Sequence, residues 1–169
     1  RALTGWDKTS PGQMRCPTPH AALTAMMGCM FDACLPFVAL AHYFQYDAYL
    51  RPGELMGVLR RHRISPPTHS QETASQCCGV MLAPRGEGGA PTKNGEFDES
   101  LLLTPRCLRL GGFLRLMRLW LSDHLPFWPR QGAELLNSMA LASRTLGIAN
   151  LAYTPYGSRH GGASRDRYF

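Results

Sequence analysis

The segment AYLRPGELMGVLRRHRI, residues Ala48–Ile64, places an arginine directly before the start of a short apolar helix. Pro52 suits the first helical position, where a missing N–H leaves nothing unpaired, and Glu54 falls in the first turn, where the helix dipole favours a carboxylate. Unpaired N–H groups at a helix start attract anions. Arg51 is therefore either a solvated loop residue or one half of a phosphate clamp.

The sequence on both sides of this segment predicts further helices. Apolar residues recur at helical spacing from His20 to about Phe31, and Pro36 suits the first turn of a second helix that runs to about Tyr49. Amphipathic patterns predict two more helices at 113–125 and 132–147. The final stretch TPYGSRHGGASRDRYF, from Thr154, begins as another.

The apolar run Ala21–Ala41 is long enough to cross a membrane, but Asp32 and Pro36 lie at its middle. Two buried helices that break near Pro36 explain it better. No membrane partner is expected.

A small antiparallel hairpin is predicted between the helices. GVMLAP (79–84) and EFDESLLL (96–103) have the character of strands, and their Gly-rich connection contains the hairpin-turn signal Asn94-Gly95. The polar stretch before them is a loop, with at most a short strand around Arg63. The predicted fold class is mainly α with a small antiparallel sheet (α+β). Residues 1–19 are predicted to be a linker or arm, and residues 20–169 a single domain.

The composition favours a globular, basic protein. A chain of 169 residues can bury the core of one domain, and its formal charge is +6. Only Lys8 and Lys93 are lysines, so the excess is almost all arginine. Arginine's planar fork suits phosphate, which favours nucleic acid as a partner, although basic proteins of many kinds share this balance.

The cysteines and histidines do not indicate a metal or a cofactor. The six cysteines contain no CxxC pair, and the histidines show no paired-ligand spacing. We expect unpaired thiols in a reducing, intracellular compartment, with no cofactor and no metal.

Three cationic residues stand out by their context: Arg51 before a helix start, Lys93 in the Gly-rich hairpin tip, and Arg159 near the start of the last helix, with His160 beside it. If a fold brings them together, the two arginines can hold one phosphodiester and stabilise the charge that builds up during phosphoryl transfer. Lys93 can then protonate the leaving oxygen, and Glu54 can orient Arg51.

Each residue also has an ordinary explanation. Arg51 can be a solvated loop residue, Glu54 a favourable first-turn carboxylate, and Lys93 a common hairpin-tip lysine. Arg159 and His160 can be polar surface residues before a Gly-Gly turn, and Tyr156 a half-buried aromatic residue.

Taken together, the segments resemble the catalytic domain of the tyrosine recombinase (phage-type integrase) family. AYLRPGELMGV resembles the first conserved box, in which an arginine and a nearby acidic residue open a helix, and APTKNGEFDESLLL resembles the hairpin of the catalytic lysine. RTLGIANLAYTPYGSRHGGAS resembles the second box, with its His-x-x-Arg-His run. The resemblance extends from about His20 to the last residue.

The resemblance implies roles for these residues. Arg51 and Arg159 would bind the phosphate, and Lys93 would be the general acid. Tyr156 stands where the family usually has the first histidine of the second box, so it would donate a hydrogen bond but serve poorly as a proton shuttle. Ser158 stands where a leucine is usual.

The resemblance also implies an incomplete catalytic domain. Ten residues follow Arg159, and Tyr168, the sole tyrosine among them, is too close to match the family's nucleophile. The expected function is that of a DNA-binding catalytic fragment of a recombinase. Complete members of the family cleave and rejoin DNA through a phosphotyrosyl intermediate without a cofactor. The alternatives are a catalytically dead DNA-binding remnant of a mobile element and a protein unrelated to DNA.

The expected partners are double-stranded DNA and other copies of the chain or a full-length recombinase, which would supply the tyrosine in trans. In a eukaryote the protein would be nuclear.

Overall fold

The structure is a computed structural model that describes residues 16–58, 62–64, 79–87, 91, 95, 97–102, 128 and 132–166. Within these ranges it is mainly helical with a small antiparallel sheet, which confirms the predicted α+β class. Lys93 and the helix predicted at 113–125 lie outside the described residues.

Five α-helices lie in the described part of the chain: α1 (His20–Asp32), α2 (Pro36–Asp47), α3 (Pro52–Gly57), α4 (Gly132–Thr145) and α5 (Pro155–Asp166). A 3-10 helix (Ala149–Leu151) connects α4 to α5. The sheet contains β1 (Arg63–Ile64), β2 (Gly79–Leu82) and β3 (Glu99–Leu102) in that order, with both neighbouring pairs antiparallel.

The β2–β3 hairpin is confirmed, with shorter strands than predicted. Val80 is opposite Leu101, and Leu82 is opposite Glu99. Pairing ends there because Ala83 and Asp98 both have left-handed backbones, with φ of 47° and 56°. The Asp98 carboxylate also accepts a hydrogen bond from the Arg85 N–H, which holds the turn-like geometry. Gly95, within the long connection between these strands, has a φ of 83°, a conformation that glycine adopts without strain.

The apolar run 21–41 is divided between α1 and α2, as predicted. The α1 helix ends at Asp32, and Cys34 adopts a left-handed conformation with φ of 57° before Pro36 opens α2. Among the described helices, none combines the length and apolar character needed to cross a membrane.

The core lies where α1, α2 and α4 meet. Met26, Phe44 and Met139 are fully buried there, and the Phe44 ring packs against Trp128 with 5.9 Å between centroids. The α3 helix adds Leu55, which is also fully buried. The Ser143 hydroxyl donates to the Met26 sulfur across the α1–α4 contact (3.2 Å), so this buried hydroxyl keeps a hydrogen bond.

A buried histidine joins α2 to α4. The Nε2 atom of His42 lies 3.1 Å from the carbonyl oxygen of Leu135 and 3.2 Å from the Ser138 hydroxyl, and the side chain is fully buried. Its Nδ1 atom has no hydrogen-bond partner among the described residues. Burial lowers the pKa of His42 to about 4, against a smaller opposing effect from the Leu135 carbonyl. The imidazole is therefore neutral in the folded protein at neutral pH.

This arrangement makes the folded protein sensitive to acid. An unfolded histidine, with a pKa near 6.5, binds a proton that the folded protein excludes until the pH approaches 4. The free energy of unfolding should therefore fall as the pH drops from about 6.5 to 4. From the difference between the two pKa values, the free energy of unfolding lost over this pH range is about 3 kcal/mol.

His42→Gln should reduce this pH dependence, because glutamine has no proton to gain. Urea unfolding at pH 7 and pH 4.5 measures it, with His160→Gln on the surface as the matched control. An equal loss of stability in wild type and His42→Gln would contradict this assignment.

The α5 helix packs directly against the backbone of α2 and of the segment that contains Thr18. A Cβ atom on Gly162 would overlap the Tyr46 carbonyl oxygen and lie 2.9 Å from the Tyr49 ring. One on Gly161 would overlap the carbonyl oxygen of Thr18. The Gly-Gly pair therefore lies inside a helix and not at a turn, and it permits α5 to pack on the C-terminal end of α2.

Residues 16–19, the end of the predicted linker, contribute to this contact. Thr18 is fully buried, and its N–H donates to the Gly157 carbonyl oxygen at 2.9 Å. This extended segment is thereby fixed against the first turn of α5.

Gly162→Ala should lower the free energy of unfolding by about 1–3 kcal/mol, because the new methyl group meets a backbone oxygen that cannot rotate away. Gly28→Ala is the matched control. Gly28 is an exposed residue of α1 with open space around its Cα, so alanine should stabilise the protein by about 0.5–1 kcal/mol. Urea unfolding of both variants measures the difference, and an unchanged Gly162→Ala would refute the close contact.

Candidate phosphate-binding site

Arg51 occupies the N-cap position of α3 and is paired with Glu54 one turn later. One carboxylate oxygen of Glu54 accepts the Arg51 backbone N–H at 2.7 Å, and the other forms an ion pair with its guanidinium. Both side chains are mostly buried, with exposed fractions of 21% and 16%. The question raised by the sequence has a local answer: Glu54 both caps the helix and balances the arginine's charge.

The pair also restricts how Arg51 can act. A guanidinium carries five N–H donors in a rigid plane, and one carboxylate oxygen engages only part of it. The remaining donors are held in a fixed direction, because the carboxylate that orients the guanidinium is itself tied to the backbone. This is a suitable arrangement for an anion-binding arginine, and it is also a stable helix start.

Three other candidate residues lie on α5. Thr154 precedes the helix, and its hydroxyl accepts the Gly157 N–H at 3.2 Å. Tyr156 in the first turn is 39% exposed, and His160 is exposed, whereas Arg159 is half-buried between the solvent face and the packed face. The helix therefore presents a phenol, an imidazole and a guanidinium within two turns.

The two arginines come from segments that meet at the same end of α2. Gly162 contacts Tyr46 and Tyr49 at that end, and Arg159 precedes Gly162 by one turn on the same side of α5. Arg51 follows Tyr49 by two residues. The α2–α3 turn therefore connects the part of α2 that contacts α5 to the start of α3.

Hydrogen bonds of Gln45 hold that turn. The Gln45 side chain donates to the Leu50 carbonyl oxygen at 3.1 Å, and the Leu50 N–H donates to the Gln45 carbonyl oxygen at 3.2 Å. Tyr49 between them has a left-handed backbone, with φ of 54°. The position of Arg51 is therefore determined by a fully buried side chain of α2.

A second basic residue, Arg165, lies near the C-terminal end of α5. Burial lowers the pKa of His20, and the positive charge of Arg165 lowers it further, against an opposing effect from Asp47. The ring of His20 also packs against Tyr46, with 5.7 Å between centroids. Arg165 therefore lies close enough to the α1 start to influence its electrostatics.

Several contributors to this region were missed from the sequence. Thr18 and Gln45 are fully buried polar residues: Thr18 lies beside α5, and Gln45 lies in the last turn of α2. Gly161 and Gly162 carry no side-chain chemistry but fix the helix that bears Arg159. The adjacent glycines of an otherwise polar helix are the available signal, and a Gly-Gly turn is only the ordinary alternative that the sequence offers for them.

The described residues contain no cluster of three His, Cys, Asp or Glu side chains that could hold a metal ion. Cys16, Cys29 and Cys34 are free thiols. The described candidate residues offer two guanidinium groups, a phenol, an imidazole and the carboxylate of Glu54.

Comparison with known proteins found no matching family model, no matching curated protein and no matching solved structure.

The two contacts of Glu54 can be separated by mutation. Glu54→Ala removes both the cap and the charge and should lower the free energy of unfolding by about 1 kcal/mol. Glu54→Gln keeps an oxygen that can accept the Arg51 N–H, so it should lower the free energy of unfolding by a smaller amount. Thermal or urea unfolding of both variants measures this. Equal losses would show that the ion pair, and not the cap, is the dominant contact.

Proposed function

We propose that this protein is a catalytic domain of the tyrosine recombinase class and that it binds double-stranded DNA by contacting the phosphate backbone of the DNA. The observation that carries the proposal is that α5, which bears the half-buried Arg159, packs on the same end of α2 that leads into the mostly buried Arg51 at the start of α3. Arginine side chains that are oriented by other contacts lose little freedom when they bind a phosphate.

In this proposal Arg51 and Arg159 hold the non-bridging oxygens of one phosphodiester, and Glu54 orients Arg51. Tyr156 and His160 lie on the exposed side of the same helix and donate further hydrogen bonds. Lys93, in the β2–β3 connection, would protonate the leaving oxygen. Together the cations would stabilise the charge that accumulates on the phosphate when a tyrosine from another chain attacks it.

A second candidate is DNA binding without chemistry. The substitution of tyrosine at 156 for the family's usual histidine favours it, because a phenol transfers protons poorly near neutral pH. The two candidates share the same phosphate contacts and differ in whether a covalent protein–DNA product can form.

DNA binding is tested by titrating a duplex at several salt concentrations. Arg51→Ala and Arg159→Ala should each weaken binding and reduce the salt slope by about 0.9, the value for one phosphate contact, and the double variant by about twice that. Arg144→Ala on α4 is the matched control, because it removes the same charge from an exposed position outside the proposed phosphate contacts. An equal loss in all three single variants would indicate only a general charge effect.

Chemistry is tested separately with a nicked suicide duplex and a tyrosine-bearing recombinase fragment. The catalytic candidate requires a covalent protein–DNA product on denaturing gels that disappears in Lys93→Ala. Salt-dependent binding with no such product would favour the binding-only candidate. Absence of binding in the wild type would refute both.

A further inference from the structure

The α4 helix carries an exposed face opposite the one that it buries in the core. Leu135, Met139 and Ala142 point into the core, whereas Leu136 is 51% and Leu141 is 49% exposed. We call this exposed face the α4 strip; it consists of Ala133, Leu136, Asn137, Ala140, Leu141 and Arg144. Leu136 and Leu141 share this face, and apolar side chains that form one exposed patch make it a candidate surface for binding another protein.

A cavity adjoins the strip on one side. It has a volume of about 300 Å³ and is lined on α4 by Ala140, Ser143 and Arg144, and on the other side by Ala149, Ala152 and the residues that lead into α5. Its walls are mainly apolar, and the Ser143 hydroxyl is already bonded to Met26. The cavity therefore suits an apolar side chain, and it is large enough for a leucine.

We propose that the α4 strip binds the α4 strip of a second copy of this chain, with the two helices antiparallel about a two-fold axis. The residues of the strip have the same spacing when they are read from either end of the helix. Counted from either end, the apolar pair Leu136 and Leu141 falls at equivalent positions, as do Asn137 and Ala140. A two-fold interface requires a surface that is complementary to itself, and this spacing provides one.

The cavity fits the same arrangement. With the axis crossing between Ser138 and Met139, Leu136 of the second copy lies level with Leu141 and on the Ala140 side of the helix. It therefore faces the gap between Ala140, Ser143 and Arg144, where the cavity opens. By symmetry each copy inserts its Leu136 into the cavity of the other.

Charge also favours a second copy of this chain as the occupant. Glu134 lies in the first turn of α4, and Arg144 in the last. Antiparallel packing brings the acidic end of one helix beside the basic end of the other at both ends of the strip. A parallel arrangement would bring like charges together. The contact involves mainly one helix face, which is smaller than a standard stable interface, so a weak and concentration-dependent dimer is expected.

Sedimentation of the full chain without DNA, over a range of concentrations, tests this. Wild type should shift towards dimer as the concentration rises, and Leu136→Lys should remain monomeric. Phe31→Lys is the matched control: it replaces an apolar side chain of similar exposure (46%) on α1, and it should dimerise as wild type does. A wild type that is monomeric at every concentration, or a dimer that Leu136→Lys leaves intact, would overturn the proposal.

A charge exchange tests the antiparallel orientation. Glu134→Arg alone and Arg144→Glu alone should each weaken the dimer at least tenfold, because like charges then meet at both ends. An equal mixture of the two variants should restore it as a heterodimer, with far-ultraviolet circular dichroism confirming that each variant is folded. A mixture no stronger than either variant would refute this pairing. These experiments involve no DNA, so their outcome is independent of the proposed phosphate contacts.

Discussion

The rest of the structure depends on a contact between backbones, in which α5 lies directly on the end of α2. Gly161 and Gly162 leave no side chain between the helix and the carbonyl oxygens of Thr18 and Tyr46. A close approach of this kind excludes any residue with a Cβ atom, so it specifies both the position and the rotation of α5. Because the orientation is fixed, Tyr156 and His160 face solvent while Arg159 lies at the boundary, half-buried.

The same end of α2 combines structural and electrostatic demands. Gln45 is buried to hold the turn before α3, and Glu54 balances the arginine that begins this helix. A charged pair at 21% and 16% exposure has given up much of its hydration, which only hydrogen bonds and pairing offset. Loss of Glu54 would therefore leave Arg51 partly buried without its counter-charge. In the proposed function a bound phosphate would add a second counter-charge, so Glu54 would affect both the stability of the helix start and its affinity for phosphate.

The sequence predicted the local elements well because their signals are local. Pro36 and Pro52 mark the starts of α2 and α3, and the strand patterns at 79–84 and 96–103 match the paired β2 and β3 strands. Arg51 and Glu54 were correctly expected to pair, since they are one helical turn apart. The burial of Thr18 and His42 could not be predicted, because each depends on residues more than 90 positions away in the chain. The helical role of the Gly161-Gly162 pair is equally non-local, because it depends on the contact with α2. The roles of Arg51, Arg159 and Tyr156 in binding phosphate, and of Lys93 as general acid, stay predictions.

The composition of α5 links the candidate site to the stability of the domain. Its twelve residues include Gly157, Gly161 and Gly162, and each glycine disfavours a helix by about 1 kcal/mol relative to alanine. The helix therefore relies on its contacts with α2 and Thr18, not on its own propensity. A ligand that binds Arg159 and His160 requires a folded α5, so it must stabilise these contacts in proportion to its affinity. Conversely, any change that loosens the backbone contact, Gly162→Ala foremost, should weaken the proposed phosphate binding at α5, although it alters no residue that would touch the phosphate.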